Sequence, residues 1–134
     1  MTTQENGKLT SASGSIKADS ITPSVNGRDQ FYATAVTFTR QDSGKGYTIT
    51  GYEELEDGKI LGIKLLILDD SSRETQLYFN LNGNLIKAYE HSVGEYVLDT
   101  ENRIFRAKFT LRFREGTNAY YVQNGSIDLK DLKY

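Results

Sequence analysis

The segment 103–114 constrains the fold of this chain more than any other part of the sequence. Its side chains alternate between two sets with a period of two. One set is Phe105, Ala107, Phe109, Leu111 and Phe113, and the other is Ile104, Arg106, Lys108, Thr110, Arg112 and Arg114. A helix would spread the apolar set around its axis, whereas a β-strand places it on one face. The segment is therefore predicted to be a strand with one buried face and one outward face.

Shorter segments of the same kind recur along the chain, separated by turn signals such as Asp57-Gly58 and Asn82-Gly83. Besides 103–114 they are 14–21, 31–39, 47–52, 60–68, 74–81, a segment after Asn82-Gly83, 94–98 and 119–129. In the last of them, Tyr121, Ile127 and Leu129 are expected to share a face. The pattern predicts an all-β fold of about eight or nine strands with little helix. It is expected to be a single antiparallel β-sandwich or a barrel-like meander.

The length of 134 residues is that of one ordinary domain, so residues 1–134 are predicted to form a single all-β domain. Residues 1–12 are polar and are expected to be frayed or disordered. No apolar run is long enough for a membrane span, since 60–68 falls far short of the roughly 20 residues needed. Without a signal peptide in segment 1–15, the chain is expected to be cytoplasmic as given, or secreted if a leader was removed.

The composition excludes several classes of function. The chain has 16 basic and 18 acidic residues, which argues against a nucleic-acid binder. It has no Cys and one His, His91, so thiolate chemistry and multi-histidine metal sites are excluded. Neither a metal, nor a cofactor, nor a catalytic residue is predicted. His91 is expected to be a structural residue at or near the surface, and the question of enzyme activity stays open.

The polar set of segment 103–114 contains a row of cations, which is the first candidate binding feature. Its members are Arg106, Lys108, Arg112 and Arg114. On an outward face they would stand in line, about 7 Å apart for alternate residues. Such a row suits phosphate, an anionic glycan or an acidic partner. The alternative is pairing across strands with acids such as Asp99, Glu101, Glu115 or Asp128.

The tyrosines are the second candidate binding feature. Tyr120 and Tyr121 are adjacent, so one is expected to face inward and one outward. An exposed aromatic patch for stacking on sugar rings or for a protein partner would combine them with Tyr32, Tyr52, Tyr78 and Tyr89. The alternative is that these tyrosines lie at the boundary between core and solvent.

Four segments together resemble a family of small bacterial all-β proteins, many of them lipoproteins of Bacteroidetes, whose function is uncharacterised. The resembling segments are NGRDQFYAT (26–34), YTITG (47–51), RIFRAKFTLRF (103–113) and VQNGSIDL (122–129). The lipidated Cys of that family is absent here, and Ala107-Lys108 replaces its usual Gly-Thr. The resemblance implies a β-sandwich or barrel-like fold and no catalytic residues.

Three hypotheses about function follow from these observations. The first is a non-enzymatic binding module for a protein partner, an anionic ligand or a glycan, with a possible homodimer formed through an edge strand. The second is a lipocalin-like carrier that holds a small hydrophobic ligand inside a barrel. The third is a hydrolase with two carboxylates, because such a pair needs only to meet in space.

Overall fold

A computed structural model describes residues 12–40 and 46–133, and the part of the chain that it describes is all-β, without a helix. The predicted fold class is thereby confirmed, with more strands than predicted. The prediction for residues 1–12 lies outside the described residues, apart from Ala12. The eleven strands are β1 (Ser13–Thr22), β2 (Phe31–Ala33), β3 (Ala35–Arg40), β4 (Tyr47–Glu54), β5 (Ile60–Asp69), β6 (Glu74–Leu81), β7 (Asn84–Lys87), β8 (Glu90–Val93), β9 (Val97–Asp99), β10 (Ile104–Glu115) and β11 (Asn118–Lys130).

The strands form two antiparallel sheets that pack against each other as a β-sandwich. The six-stranded sheet has the order β2-β1-β11-β10-β8, and β9 pairs with a different part of β10 than β8 does. The five-stranded sheet follows the chain, in the order β3-β4-β5-β6-β7. Because each sheet has its own hydrogen-bond ladder, the barrel that we considered as an alternative is not closed. The sandwich is the correct form of the prediction.

The strand count exceeds the predicted eight or nine because the chain changes sheets within extended segments. The predicted strand 31–39 divides at Thr34, where β2 pairs with β1 and β3 pairs with β4. A second change of sheet separates β7 from β8, a strand that the sequence pattern did not predict. The strand predicted at 94–98 lies at Val97–Asp99. Alternation shows which residues share a face of a strand but carries no information about which sheet the strand joins.

The core lies between the sheets and contains the whole apolar set of β10. Phe105, Leu111 and Phe113 have no exposed surface, and Phe109 is 3% exposed. Phe113 stacks on Phe79 of the opposite sheet, with ring centroids 4.4 Å apart. Burial of these large apolar side chains is the main stabilising contribution to such a sandwich. The inward and outward faces of β10 are as predicted.

A β-bulge in β11 determines which of its side chains face outward. The β10–β11 register shifts between Phe109, which pairs with Gly125, and Leu111, which pairs with Val122. The extra residue at this point is Asn124, whose φ is +54°. A bulge of one residue reverses the alternation beyond it. Our prediction that Tyr121, Ile127 and Leu129 share a face was therefore wrong, since Tyr121 faces outward.

Candidate functional site

The cationic row predicted on β10 lies on the outer face of the six-stranded sheet. Arg106, Lys108 and Arg114 are exposed, and Arg112 is half-buried. All four pair with β11 on one side, and Arg106 and Arg112 also pair with β9 and β8 on the other. The four side chains therefore stand on a rigid surface, as the alternation of the segment predicts.

Two of the four cations are neutralised by acidic neighbours. Arg106 pairs across the strands with Asp128, with 3.4 Å between Nε and Oδ1. Arg112 binds Glu90 of β8 at 2.9 Å, and its guanidinium lies 3.6 Å from the centre of the Tyr121 ring. Asp128 is one of the acids that the sequence analysis considered as a partner, whereas Glu90 was not considered. The row is therefore not a continuous stripe of positive charge.

Lys108 retains its charge and is joined by a second lysine from a neighbouring strand. Lys108 of β10 pairs with Ser126 of β11, and Ser126 pairs with Lys17 of β1. Neither lysine forms an ion pair with any of the described residues. Two strand spacings separate their Cα atoms, a distance of about 10 Å. Long lysine side chains at this spacing can converge above the hydroxyl of Ser126.

A shallow groove of about 490 Å³ surrounds these three residues. Arg106 and its partner Asp128 form one side, and Glu95 of the β8–β9 connection and Val97 of β9 form another. Together with Ser15, these residues surround Lys17, Lys108 and Ser126. We call this feature the lysine groove. It offers two ammonium groups and the hydroxyls of Ser15 and Ser126 as donors, which suit an anionic oxygen group.

Lys17 and Ser126 were not among the site residues predicted from the sequence. The alternation of β1 places Ile16 and Ala18 inward, so that an outward Lys17 could have been inferred from it. What the sequence does not show is that β1 and β10 lie on either side of β11. The contribution of Lys17 depends on that non-local arrangement of strands.

The tyrosines do not form one patch. Tyr120 stacks on Phe113 at the edge of the core, with centroids 4.9 Å apart, while Tyr121 supports Arg112 on the outer face. One of the pair thus faces inward and one outward, as expected. The others are distributed over the molecule: Tyr32 is on the outer face of the six-stranded sheet, Tyr89 is beside Arg114, and Tyr52 and Tyr78 are on the outer face of the five-stranded sheet.

Several carboxylates that could serve a hydrolase instead hold the backbone of turns and corners. Glu53 binds Arg28 at 2.8 Å and accepts a hydrogen bond from the backbone N–H of Tyr32. Asp69 accepts hydrogen bonds from the backbone and the hydroxyl of Ser71. Hydrogen bonds from the backbone and side-chain amides of Asn102 lower the pKa of Asp99. Such contacts stabilise turns.

The described part of the chain has no cluster of metal-ligating side chains. No three His, Asp or Glu side chains come together there in a way that could hold a metal ion. His91 is half-buried, and its Nε2 lies 3.2 Å from the hydroxyl of Thr75. This contact between β8 and β6 fits the structural role expected for His91.

Tyr96 has a strongly raised pKa, and its surroundings explain why. Burial and a 2.5 Å hydrogen bond from its hydroxyl to Asp70 raise the pKa of Tyr96 from 10.0 to about 12. The guanidinium of Arg73 lies 3.7 Å from the ring centre and donates to the backbone carbonyl of Tyr96. Raised pKa values occur at active sites and in structural networks alike. Here the three side chains connect the β5–β6 turn to the β8–β9 connection, which is a structural role.

This contact predicts a loss of stability at high pH. Between pH 10 and about pH 12 the tyrosine ionises in the unfolded chain but stays protonated in the folded one. The folded state then binds more protons, so the free energy of unfolding falls as pH rises through this range. We expect the stability difference between the native chain and Tyr96→Phe to shrink from pH 9 to pH 12, measured by urea unfolding. A difference that is independent of pH would contradict the assignment.

Comparisons with protein-family models, curated proteins and solved structures found no match for this chain. Within the described residues, no helix is long and apolar enough to span a membrane. The class that the fold and the site define is an antiparallel β-sandwich with a cationic groove on the outer face of one sheet.

Proposed function

We propose that this chain is a non-enzymatic binding module that holds an anionic group in the lysine groove. The observation that carries the proposal is the placement of Lys17 and Lys108 on either side of Ser126, with no ion-pair partner among the described residues. Two ammonium groups on either side of a hydroxyl repel each other weakly in water. An anion bound between them attracts both and so offsets that repulsion. Carboxylate, sulfate and phosphate groups all have the required charge and oxygen acceptors.

Two structural facts favour this proposal over the other hypotheses. The buried apolar side chains of the described residues form one cluster that lies between the sheets. This supports an outer site rather than an interior carrier site. Glu53, Asp69 and Asp99 are engaged in turns and corners, which supports binding rather than hydrolysis. The resemblance to small bacterial all-β proteins and the dimer through an edge strand stay proposals of the sequence analysis.

The proposal predicts the effect of reversing the two lysine charges. Inorganic phosphate, titrated in 0.1 M NaCl and followed by NMR, is expected to shift the amides of Lys17, Lys108 and Ser126 along one saturable curve. The variant Lys17→Glu/Lys108→Glu should bind phosphate at least about tenfold more weakly, which corresponds to about 1.4 kcal/mol. The physical reason is that two attractive contacts become repulsive.

The matched control is Lys87→Glu/Lys133→Glu. Both of these lysines are exposed, both lie outside the groove, and the variant has the same change of net charge. At this ionic strength charges more than about 10 Å away are largely screened, so phosphate affinity should change less than about threefold. Equal weakening of binding in both variants would show a general charge effect and no site. Unchanged phosphate binding in the groove variant would also overturn the proposal.

A further inference from the structure

A second groove on the same sheet face continues the surface of the lysine groove along β10. Its volume is about 200 Å³, and it is lined by Glu90, His91, Ser92, Thr110, Leu111, Arg112 and Tyr121. Arg112 lies four positions after Lys108, which is about 13 Å along the strand. A ligand held at Lys17 and Lys108 therefore reaches the second groove only if it is elongated.

The chemistry of the second groove differs from that of the first. The hydroxyls of Ser92 and Thr110 lie 2.8 Å apart, and each keeps further hydrogen-bonding capacity. The guanidinium of Arg112 is neutralised by Glu90 and lies over the ring of Tyr121, 3.6 Å from its centre. This end therefore offers hydroxyls and a stacked guanidinium and tyrosine ring, and its described lining residues include no lysine or arginine without an acidic partner. Such a surface suits a neutral, hydroxyl-bearing ring.

We propose that the occupant of the two grooves is an acidic oligosaccharide, an inference that rests on the proposed function. Its carboxylate or sulfate group lies between Lys17 and Lys108. A neighbouring sugar ring lies along β10, over Ser92 and Thr110 and beside the stacked Arg112 and Tyr121. The order of charged group and neutral ring in such a molecule matches the order of the two grooves.

The topology of the sheet favours a saccharide over an acidic peptide. Extended peptides commonly bind by adding a strand to a free sheet edge, where main-chain hydrogen bonds supply affinity. Both grooves cross β10 and β11, which are interior strands with a neighbour on each side, and the second groove also includes Glu90, His91 and Ser92 of the edge strand β8. A peptide added as a strand would therefore lie beside β8, whereas the face over β10 presents side chains: hydroxyls, a stacked ring, two ammonium groups and the carboxylates of Glu90, Glu95 and Asp128.

The test is calorimetry with four probes on the full chain. The probes are a hexasaccharide of alternating uronic acid and neutral sugar, a neutral hexasaccharide, inorganic phosphate and a hexaglutamate peptide. We expect the acidic hexasaccharide to bind about tenfold or more tightly than phosphate, because it contacts both grooves. The neutral hexasaccharide and the peptide should bind more weakly than the acidic one.

Variants separate the two grooves. Ser92→Ala/Thr110→Val and, separately, Tyr121→Ala should weaken hexasaccharide binding about fivefold and leave phosphate binding unchanged, since they remove contacts only in the second groove. Lys17→Glu/Lys108→Glu should weaken both. Tyr52→Ala, which removes an exposed tyrosine from the other sheet, is the control and should change neither. If Tyr121→Ala fails to fold, the hydroxyl variant decides the result.

The outcomes distinguish failure of this inference from failure of the proposed function. In two outcomes phosphate binding depends on the lysines but the inference alone is overturned. In one, the hexasaccharide binds no more tightly than phosphate, and in the other its affinity is unchanged by the second-groove variants. Tighter binding of hexaglutamate than of the acidic hexasaccharide also overturns it, in favour of a peptide occupant. If neither phosphate nor hexasaccharide binds, the inference and the proposed function both fail.

Discussion

Replacing Phe113 with alanine is expected to lower the free energy of unfolding by about 3–5 kcal/mol. Phe113 has no exposed surface, and its ring is stacked between Phe79 at 4.4 Å and Tyr120 at 4.9 Å. The substitution removes the transfer free energy of the ring, opens a cavity between the two sheets and loses two aromatic contacts. Since domains of ordinary size have only about 5–15 kcal/mol of stability, this loss is a large fraction of the total.

Urea unfolding at 25 °C measures this effect, and Tyr32→Ala is the control. Tyr32 is 54% exposed on the outer face of the six-stranded sheet, and its contact with Glu53 uses the backbone N–H. Truncation of this side chain should change stability by less than about 0.5 kcal/mol. A loss below about 1.5 kcal/mol for Phe113→Ala would contradict the described packing between the sheets.

Replacing Gly125 with alanine is expected to cost about 2–3 kcal/mol, because the added methyl group has no room. A Cβ at this position would lie 2.5 Å from two atoms of the Phe109 ring. Phe109 is 3% exposed and packed in the core, so it cannot turn away freely. Forcing an extra group into a packed core typically costs roughly 1–3 kcal/mol, because side chains and backbone must move.

Gly94→Ala is the matched control, since a Cβ at Gly94 would meet its nearest atom at 3.7 Å, an ordinary contact. Its stability should change by less than about 0.5 kcal/mol, or rise slightly through the unfolded state. Adding Phe109→Leu to Gly125→Ala should cost less than the sum of the two single changes, because the smaller side chain relieves the clash. Additive costs in urea unfolding would place the strain elsewhere.

The faces of β10 could be predicted from the sequence because alternation is a property of a single strand. The apolar set of β10 faces the core, and the cationic row faces outward, as the residue pattern alone indicates. The β11 strand shows where this reasoning stops. The bulge at Asn124 reverses the alternation, and its one local signal is Gly125 in the strand interior, which does not show that Tyr121 changes face. The close approach of Phe109 to Gly125 is a tertiary contact at the same point.

Part of the candidate site could be predicted because alternation shows which side chains of a single strand face outward. Lys108 was found because it stands in a clear alternating segment, whereas Lys17 was missed although its own strand also alternates. The two lysines are far apart in the chain and meet only because β11 pairs with both β1 and β10. Arg106 and Arg112 kept their predicted outward positions, but their neighbours Asp128 and Glu90 neutralise them.

The sequence by itself determined that this chain is built of antiparallel strands, which side chains of β10 enter the core and which chemistries its composition excludes. These features follow from residue type and from the fixed geometry of a strand, in which successive side chains point to opposite faces. Only the tertiary structure decided where segments change sheets, the register of β11 against β10, and which cations of the row have an acidic partner. Those properties depend on hydrogen bonds and ion pairs between residues distant in the chain, and local alternation does not encode them.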